Sequence, residues 1–564
     1  MISFKGDLAI TLTLKIAGQS YDIAASNIRS LELDLKQYGY SGKVSFEISP
    51  ELATDELFTP FTTKSDLIEV SLTVEVFTVP TGSTSTPLQL SGLATARSMS
   101  EQTLTNILPT QDWMVARRYF LDFADPAQVL WKQHYPCDLF TNANLQSLIA
   151  AHTSEKIQLT YNWDVLQTVY PVLSLSLGAP GQSASFYDYI IWLVDSNNGV
   201  FSYDFGTNKY TFSAAKSDSG QAQSLDPLEV ATIGIDFPEV RRDQPNVLNS
   251  NTEAAKISPI TNDQKATPIR RDYIASYPIA ADMQARVTLE TARFKQRLHE
   301  VWLEFGTFQL QVTPPGQKVD FKGSSAWSSS LFNQPNTYRV RHWQFKAQWT
   351  EEGDDPGFNL FTGELAVRLE QDTELWVDLP EYNRPVYPVF VEGKVHSDKG
   401  TDTDASYQFY TDENTSVNYY QVNIPLWNDQ LIRAAYQPNL DTGQFYFPPY
   451  KKSRVMIALE FNSAFIAYSL DWGVSTALPL DSQGNQVVMG KSATSRNIIK
   501  HAYVDSKRSC RFCAPKRKTL NCCNSPTAIS FYKPNNKKTK AVDHGIDLQN
   551  RIKPNGRHHH HRHQ

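Results

Sequence analysis

The chain has 564 residues, of which 41% are hydrophobic and 20% are charged, and its formal net charge at pH 7 is −6. This length suits roughly three or four domains with cores of ordinary size. Only Cys137 precedes residue 500, which excludes a fold held together by disulfides over most of the chain.

The charge is unevenly distributed. Residues 507–564 carry 14 Lys/Arg and 2 Asp/Glu, whereas the rest of the chain carries 39 basic and 57 acidic residues. Such an acidic body argues against general binding of nucleic acid. Residues 1–6 lack the pattern of a signal peptide, and no apolar run approaches the ~18 residues of a membrane helix. We therefore expect a soluble protein that is made in the cytoplasm.

The first hundred residues predict antiparallel β structure. Apolar residues alternate with polar or small ones at residues 8–16, 31–35, 44–48 and 68–76. A period of two places one face of each strand in a core. Residues 79–87 are small and predict a loop at a strand tip.

A helix is predicted to begin at Asp125. The Asp125 side chain can cap a helix whose first position is Pro126, and the Gln128 side chain can bond back to the N–H of the cap. This helix is expected to run to about His134, because Pro136 cannot continue it.

Two further helices and a β-hairpin follow. One helix is expected from about residue 142 to His152, and another after Ser185 with Phe186 in its apolar stripe. Residues 197–199 end the latter helix. Strands at 200–205 and 209–213 with a turn at 206–208 predict the hairpin.

This region resembles the tail-hub and spike proteins of contractile injection machines. That family includes VgrG of type VI secretion, the hub of contractile phage tails and the spikes of phage-tail-like particles. The matching residues are 120–131 with His134 and Pro136, Ser185-Phe186-Tyr187-Asp188 with Trp192-Leu193, and Tyr203-Asp204 with Asn208-Lys209-Tyr210. The resemblance extends over about residues 1–500.

Residues 217–275 are polar and rich in proline, which predicts a loop-rich crossover. Residues 282–305 form the longest helical pattern, with apolar residues at steps of three and four. Strands are then expected at 308–312, 319–321, 338–349 and 360–369. The apolar phase of 338–349 slips after Val340, which predicts a β-bulge near 341–342.

Short strands and turns continue from 380 to 473, and residues 484–491 still resemble the family. The resemblance implies a mainly β fold with some helix: two tube-protein-like β-barrel domains, an OB-type barrel and the start of a β-helical spike. The expected domains are a first hub barrel (1–115), a helix/hairpin insert with crossover (116–280), a second hub barrel (281–378), an OB-like domain (379–475), the start of the spike (476–507) and a basic, disordered or non-native tail (508–564).

The tail contains Cys510, Cys513, Cys522 and Cys523. A Cys-x-x-Cys pair has some zinc-ligand character, but adjacent cysteines match paired zinc knuckles poorly. The chain has no nucleophile elbow, phosphate-binding glycine loop or HExxH motif. We therefore assign no catalytic, cofactor-binding or metal-binding residues and expect no enzyme.

The function that the resemblance implies is that of a structural hub and spike. Its partners would be two further copies of itself, the inner tube subunit, baseplate proteins and a spike tip or effector cargo, with a membrane only as the puncture target. The particle would be assembled in the cytoplasm and delivered outside the cell. The alternatives are a spike-associated cell-wall-degrading enzyme and a glycan-binding tail module.

Overall fold

The structure is a computed structural model that describes residues 2–49, 55–104, 114–178, 184–217, 220–252, 254–277, 279–297, 299–321, 327, 337–352, 357–402, 406–413, 418–435, 448–470, 486–492, 495–504, 507–516 and 519–525. The chain divides into two compact units, Met1–Leu470 and Asp471–Gln564. The prediction of a mainly β fold with some helix is confirmed.

The first lobe consists of antiparallel strands, as the alternation of apolar residues predicts. Its strands are β1 (Ser3–Ile16), β2 (Gln19–Ile23), β3 (Ile28–Lys36), β4 (Gly39–Ile48), β5 (Glu69–Val76), β6 (Leu88–Leu104) and β7 (Met114–Ala124), with the short helix α1 (Phe58–Thr63) and a 3-10 turn (Ala25–Asn27). Because β7 continues to Ala124, the first lobe extends past the expected boundary at residue 115.

The insert follows β7. Its elements are α2 (Pro126–Trp131), β8 (Cys137–Asn144), α3 (Leu145–Ala151), β9 (Leu159–Asn162), a 3-10 turn (Asp164–Gln167), β10 (Val169–Ser176), α4 (Phe186–Ser196), β11 (Val200–Asp204) and β12 (Lys209–Ser213). The three predicted helices and the hairpin are all present. Ser185 and Asp188 form a full capping box at the start of α4, and α2 ends three residues earlier than expected.

Residues 217–275 are more regular than the sequence indicates. They contain β13 (Gln223–Ser224), β14 (Val230–Asp236), β15 (Gln244–Asn249), β16 (Lys256–Pro259) and β17 (Arg270–Ala275). β16, β15 and β17 form a small sheet that packs on the next helix through Val247, Ile260 and Met283. These strands are short and interrupted by prolines, so they show no clear period of two.

The predicted long helix at 282–305 is wrong in its second half. Helix α5 covers Ala280–Arg293, and residues from Glu300 to Phe305 form strand β18 instead. Val301, which continues the helical spacing, and Leu303 are both buried as residues of β18, which pairs with β14 and β21. Tertiary pairing has here overridden a local helical pattern.

The second lobe contains β18 with β19 (Lys318–Asp320), β20 (Thr337–Glu352) and β21 (Asn359–Gln371). The predicted bulge is confirmed, because the register between β20 and β21 shifts between Val340 and His342. The strand expected at 308–312 is absent from these described residues, of which only Gln311 makes an isolated bridge, to Thr86.

The two lobes are parts of one 13-stranded sheet. Strands β20 and β21 pair along their length; on their outer sides β20 pairs with β3 and β19, and β21 pairs with β1 and β18. The first lobe is a closed ring of hydrogen-bonded strands in the order β3-β4-β7-β6-β5-β1-β21-β20. The second lobe has the strand order β14-β18-β21-β20-β19-β13. The expected pair of barrels is therefore joined through two shared strands.

A closed five-stranded barrel follows, where the sequence predicts an OB-type barrel. The strands of this region are β22 (Val389–His396), β23 (Tyr410–Thr411), β24 (Asn418–Ile424), β25 (Gln430–Ala435), β26 (Arg454–Leu459) and β27 (Ala464–Ser469), with a 3-10 turn (Pro425–Trp427). The ring runs β22-β24-β25-β27-β26 and closes between β26 and β22; β23 adds to β24 outside the ring. Only the β25–β27 contact is parallel.

The described residues of the second unit form an antiparallel sheet of four strands, β28 (Gln486–Ser492), β29 (Ser495–Val504), β30 (Lys507–Lys516) and β31 (Thr519–Ser525). Residues 508–516 and 519–525, which the sequence assigns to a disordered or non-native tail, lie in β30 and β31. Neighbouring antiparallel strands separated by two residues can pair through the backbone without a pattern of apolar side chains. Residues 526–564, with the histidine run, lie outside the described residues.

The main hydrophobic core runs through the first lobe, the insert and the second lobe. Phe186 on α4 is fully buried in this core. Its ring lies 5.3 Å from Trp131, 5.3 Å from His152 and 5.5 Å from Tyr189, measured between ring centroids.

Phe186→Ala should lower the free energy of unfolding by ~3–5 kcal/mol, because a large buried ring leaves a cavity that its neighbours cannot fill. The matched control is Phe237→Ala, whose side chain is 78% exposed, and we expect a change within about 0.5 kcal/mol there. Urea unfolding of both variants measures the difference. Equal effects would mean that Phe186 is not an anchor of the core.

Candidate functional site: the junction of the lobes and the insert

Asp125 joins the first lobe to the insert. Its buried carboxylate accepts hydrogen bonds from the backbone N–H of Tyr40 at 3.0 Å and of Gln128 at 3.1 Å, from the Gln128 side-chain amide at 2.6 Å and from the Tyr210 hydroxyl. Tyr40 belongs to β4 and Tyr210 to β12, so one carboxylate joins three elements. Burial raises the pKa of Asp125, while these donors act in the opposite direction.

The cap differs from the predicted one in a single bond. The Asp125 backbone N–H, which the sequence predicts to bond to the Gln128 side chain, donates instead to the Tyr40 carbonyl at 3.2 Å. The Gln128 side-chain amide donates to the Asp125 carboxylate. Gly39 makes the approach possible, since a Cβ there would overlap the Asp125 carboxylate.

His134 and His152 form a pair beside α2 and α3. The His134 Nε2 and His152 Nδ1 atoms are 3.0 Å apart, and both rings pack near Phe186. Burial lowers the pKa of both imidazoles, and the proximity of His134 lowers that of His152 further, although Asp138 opposes this. Both side chains are half-buried and lie at the edge of the core.

An ionic junction lies where the two lobes, the insert and residues 371–378 meet. We define it as Lys216, Arg297, Glu300, Arg339, Arg341, Glu370, Glu374 and Asp378. Arg297 is its centre: Nε lies 2.6 Å from Glu374, Nη1 lies 2.6 Å from Glu300 and 3.0 Å from Asp378, and Nη2 lies 3.3 Å from Glu370. Its side chain is only 7% exposed.

The other members of the junction come from distant parts of the chain. The Lys216 ammonium, at the end of the insert, forms an ion pair with Glu370 on β21. The side-chain amide of Gln37, after β3, donates to the same carboxylate at 2.7 Å. Arg339, on β20, donates to the backbone carbonyls of Ser217 and Glu374. The junction therefore connects both lobes to the insert.

Burial and ion pairing have opposite effects on the pKa values of the junction. Burial lowers the pKa of Lys216 to about 8, although Glu370 acts to raise it. It raises the pKa of Glu374 against the effect of Arg297. The carboxylates around Arg297 outweigh its burial and raise the pKa of that guanidinium. These groups compensate one another, which is the condition under which charges can be buried.

The five-stranded barrel packs on the insert. Leu139 and Val172 of the insert belong to the barrel's own core cluster. The Ser174 N–H donates to the Phe461 carbonyl at 2.8 Å, and the Tyr387 hydroxyl donates to the Ser174 carbonyl at 2.6 Å. The Phe461 ring meets Trp192 edge-on at 5.1 Å.

Large apolar side chains are exposed on the side of the second lobe. Leu228 and Phe237, which flank β14, are 90% and 78% exposed. Leu248 on β15 pairs in register with Ile257 and Ile274, which are 66% and 77% exposed. Ile257, Leu248 and Ile274 thus form a short apolar row across three neighbouring strands.

The described residues offer no metal centre, since they contain no cluster of three or more His, Cys, Asp or Glu side chains able to hold an ion. The tail cysteines lie on neighbouring strands, and Cys513 pairs in register with Cys522. None of the helices in the described ranges has the length and apolarity needed to cross a bilayer.

Solved structures share this architecture. One chain of the half-lidded Francisella PdpA-VgrG complex matches with a TM-score of 0.65 at 12% identity, over 92% of this chain and 87% of that chain. The lidless PdpA-VgrG complex matches with a TM-score of 0.62 at 12% identity, over 93% and 99% of the two chains. This chain has the fold of a component of the PdpA-VgrG complex. Comparison with protein-family models and with curated proteins finds no match.

The PdpA-VgrG-like fold supports the predicted resemblance at the level of the fold. The ionic junction had no counterpart in the sequence analysis. Arg297 fell within the predicted long helix, and its partners lie 3 to 81 residues away along the chain. A charged residue of an amphipathic helix ordinarily lies on the solvated face, so no local signal distinguished Arg297.

Arg297→Met should lower the free energy of unfolding by ~3–5 kcal/mol, because it leaves several buried carboxylates without their shared cation. Arg368→Met is the matched control, since the Arg368 side chain is 46% exposed and its ion pairs are partly solvated. We expect at most about 1 kcal/mol there. If urea unfolding gives the same change for both, the junction does not stabilise the fold.

The His134–His152 pair should make stability depend on pH. Both pKa values are lowered in the folded state from the ordinary value of 6.5, so the unfolded chain binds more protons. The stabilisation is present above about pH 6.5 and is lost as the pH falls below it. Urea unfolding at pH 7.5 and 5.0 should show a larger loss for the wild type than for His134→Gln/His152→Gln. An equal loss would exclude the pair as the cause.

Proposed function

We propose that the chain is a structural hub of a contractile injection apparatus. Three copies would join a six-fold inner tube to a three-fold puncturing tip. The observation that carries the proposal is the 13-stranded sheet, in which two barrel-like lobes share β20 and β21. Two such lobes in each of three subunits would provide six tube-like units around one axis.

The internal contacts of the chain support a role in transmitting thrust. The ionic junction ties both lobes to the insert, and the contacts of Phe461 and Tyr387 tie the five-stranded barrel to the insert. Force applied to the lobes can pass to the barrel through packed side chains and backbone hydrogen bonds. Barrels on flexible linkers would not transmit such a force.

The exposed apolar row Ile257–Leu248–Ile274 supports contacts between subunits. A closed cyclic assembly covers such rows without leaving open ends. The remaining partners follow from the same proposal: the tube subunit and baseplate proteins at the lobes, and a spike tip or cargo beyond the five-stranded barrel. The chain would act without catalysis or nucleic acid, assemble in the cytoplasm and be delivered with the particle.

Aromatic side chains on the five-stranded barrel favour the glycan-binding module as a second candidate. The Tyr410 and Tyr419 rings stack at 5.7 Å, and the Arg433 guanidinium lies 5.0 Å from the centroid of Tyr419. A glycan panel tests this candidate, and incubation with peptidoglycan tests the alternative of a cell-wall-degrading enzyme. Release of soluble fragments would contradict a purely structural role.

Light scattering on the purified full chain should give three times the monomer mass of 63.7 kDa. Averaged particle images should show a six-fold-like ring at one end, and the trimer should recruit tube subunits. A stable monomer, or a trimer without such a ring, would reject the adaptor role.

A pair of variants tests the contact surface separately. Ile257→Asp/Ile274→Asp should weaken the trimer without changing the melting temperature of the subunit, because both side chains are exposed. Leu426→Asp, at a position 69% exposed on the barrel region, is the matched control. A trimer that survives the double substitution keeps the hub proposal and rejects this row as the contact.

A further inference from the structure

A cavity of about 390 Å³ opens beside the ionic junction. Its walls are the end of α4, the end of α5, the β15–β17 sheet and residues 376–382. Four cationic side chains (Arg241, Arg271, Arg293 and Lys295) and three carboxylates (Asp195, Glu290 and Asp378) line it. The lining therefore carries one more positive than negative charge.

The three carboxylates are already bound. Asp195 accepts from the Tyr382 hydroxyl at 2.7 Å and from Arg293 at 3.3 Å. Glu290 is held by Arg286 at 2.6 Å and by Arg293 at 3.2 Å. Asp378 belongs to the ionic junction, where Arg297 and Arg341 bind it. Each of the three carboxylates therefore already has a cationic partner.

Lys295 is the cation that lacks a counterion. Its side chain is half-buried, and no carboxylate of the described residues lies within 4 Å of its ammonium. Its contact is with the Trp376 ring, whose centroid is 5.5 Å away. Burial lowers the pKa of Lys295, against the attraction of Asp195 and Asp378. A bound anion would remove this cost.

Arg271 is a second, weaker donor at the cavity. Its guanidinium lies 3.7 Å from Asp243, and that carboxylate is already bound at 3.0 Å by Arg241. The Arg271 side chain is 58% exposed, so it can turn toward a ligand. Phe294 and Trp376 add apolar surface to the wall.

We propose that this cavity binds a carboxylate group, with the Lys295 ammonium as its main partner and Arg271 as a second donor. Arg241 and Arg271 share Asp243, and Arg293 binds Asp195 and Glu290, so Lys295 is the lining cation without an ion pair among the described residues. One unpaired ammonium suits a singly charged ligand. The apolar walls would contact the carbon chain that bears the carboxylate. The group could belong to an acidic side chain of a partner polypeptide or to a free carboxylic acid. The site does not depend on the proposed hub role.

Calorimetric titration of the full chain with two matched probes tests the site. N-acetylglutamate methylamide presents a side-chain carboxylate, and N-acetylglutamine methylamide is its neutral isostere. The acid should bind about tenfold or more tightly than the amide, because a charge-assisted bond to Lys295 is available only to it. A third titration with butyrate, a free acid with the same single charge, distinguishes the sources. Tighter binding of butyrate supports a free acid as the ligand, and tighter binding of the blocked glutamate supports a polypeptide.

Variants assign the preference to Lys295. Lys295→Gln should reduce the ratio of acid to amide affinity to about one, whereas Lys295→Arg should retain it. Lys256→Gln, in β16 and outside the cavity lining, is the matched control and should behave as wild type. Unchanged melting temperatures would show that all three fold. Equal binding of the two probes to the wild type, no binding of either, or a preference that survives Lys295→Gln would overturn the proposal.

Discussion

The pairing of β20 with β21 is the constraint on which the rest of the fold depends. One edge of each strand is hydrogen-bonded to the other strand of the pair. The opposite edge pairs with one strand of the first lobe and one strand of the second lobe. Backbone hydrogen bonds of this kind fix register as well as distance. Neither lobe can lose this strand pair without opening the other, so the two lobes form one sheet. The bulge at Arg341 breaks the alternation where that arginine enters the ionic junction.

Charges are buried at the same place for a related reason. The ionic junction lies where elements separated by up to 333 residues along the chain come together, as the bond from Gln37 to Glu370 shows. A buried arginine shared among several carboxylates tolerates few alternative arrangements, because a misplaced partner would leave a charge unpaired. The junction therefore favours one mutual position of the lobes and the insert, beyond what the apolar core requires. The adjoining cavity differs, because the Lys295 ammonium has no counterion among the described residues.

The five-stranded barrel is connected to this frame by packing rather than by shared strands. Its cluster includes Leu139 and Val172 from the insert, and Phe461 packs against the rings of α4. A short sequence of contacts thus leads from the lobes through the insert to the barrel. Such continuity suits the proposed hub role, in which thrust would pass from the lobes to the barrel.

The sequence by itself determined the local features of this protein. The caps at Asp125 and Ser185, the alternation in β1, the hairpin β11–β12 and the bulge in β20 each depend on residues that are neighbours in the chain. Only the tertiary structure decided the shared sheet, the strand β18 in place of a longer helix, the short strands of residues 220–275 and the tail strands up to Ser525. It also decided the ionic junction and the cavity at Lys295. The residues that meet in these features lie on separate elements of the chain. They are held together by backbone pairing between strands and by compensation of buried charges, and neither interaction produces a periodic pattern in the sequence.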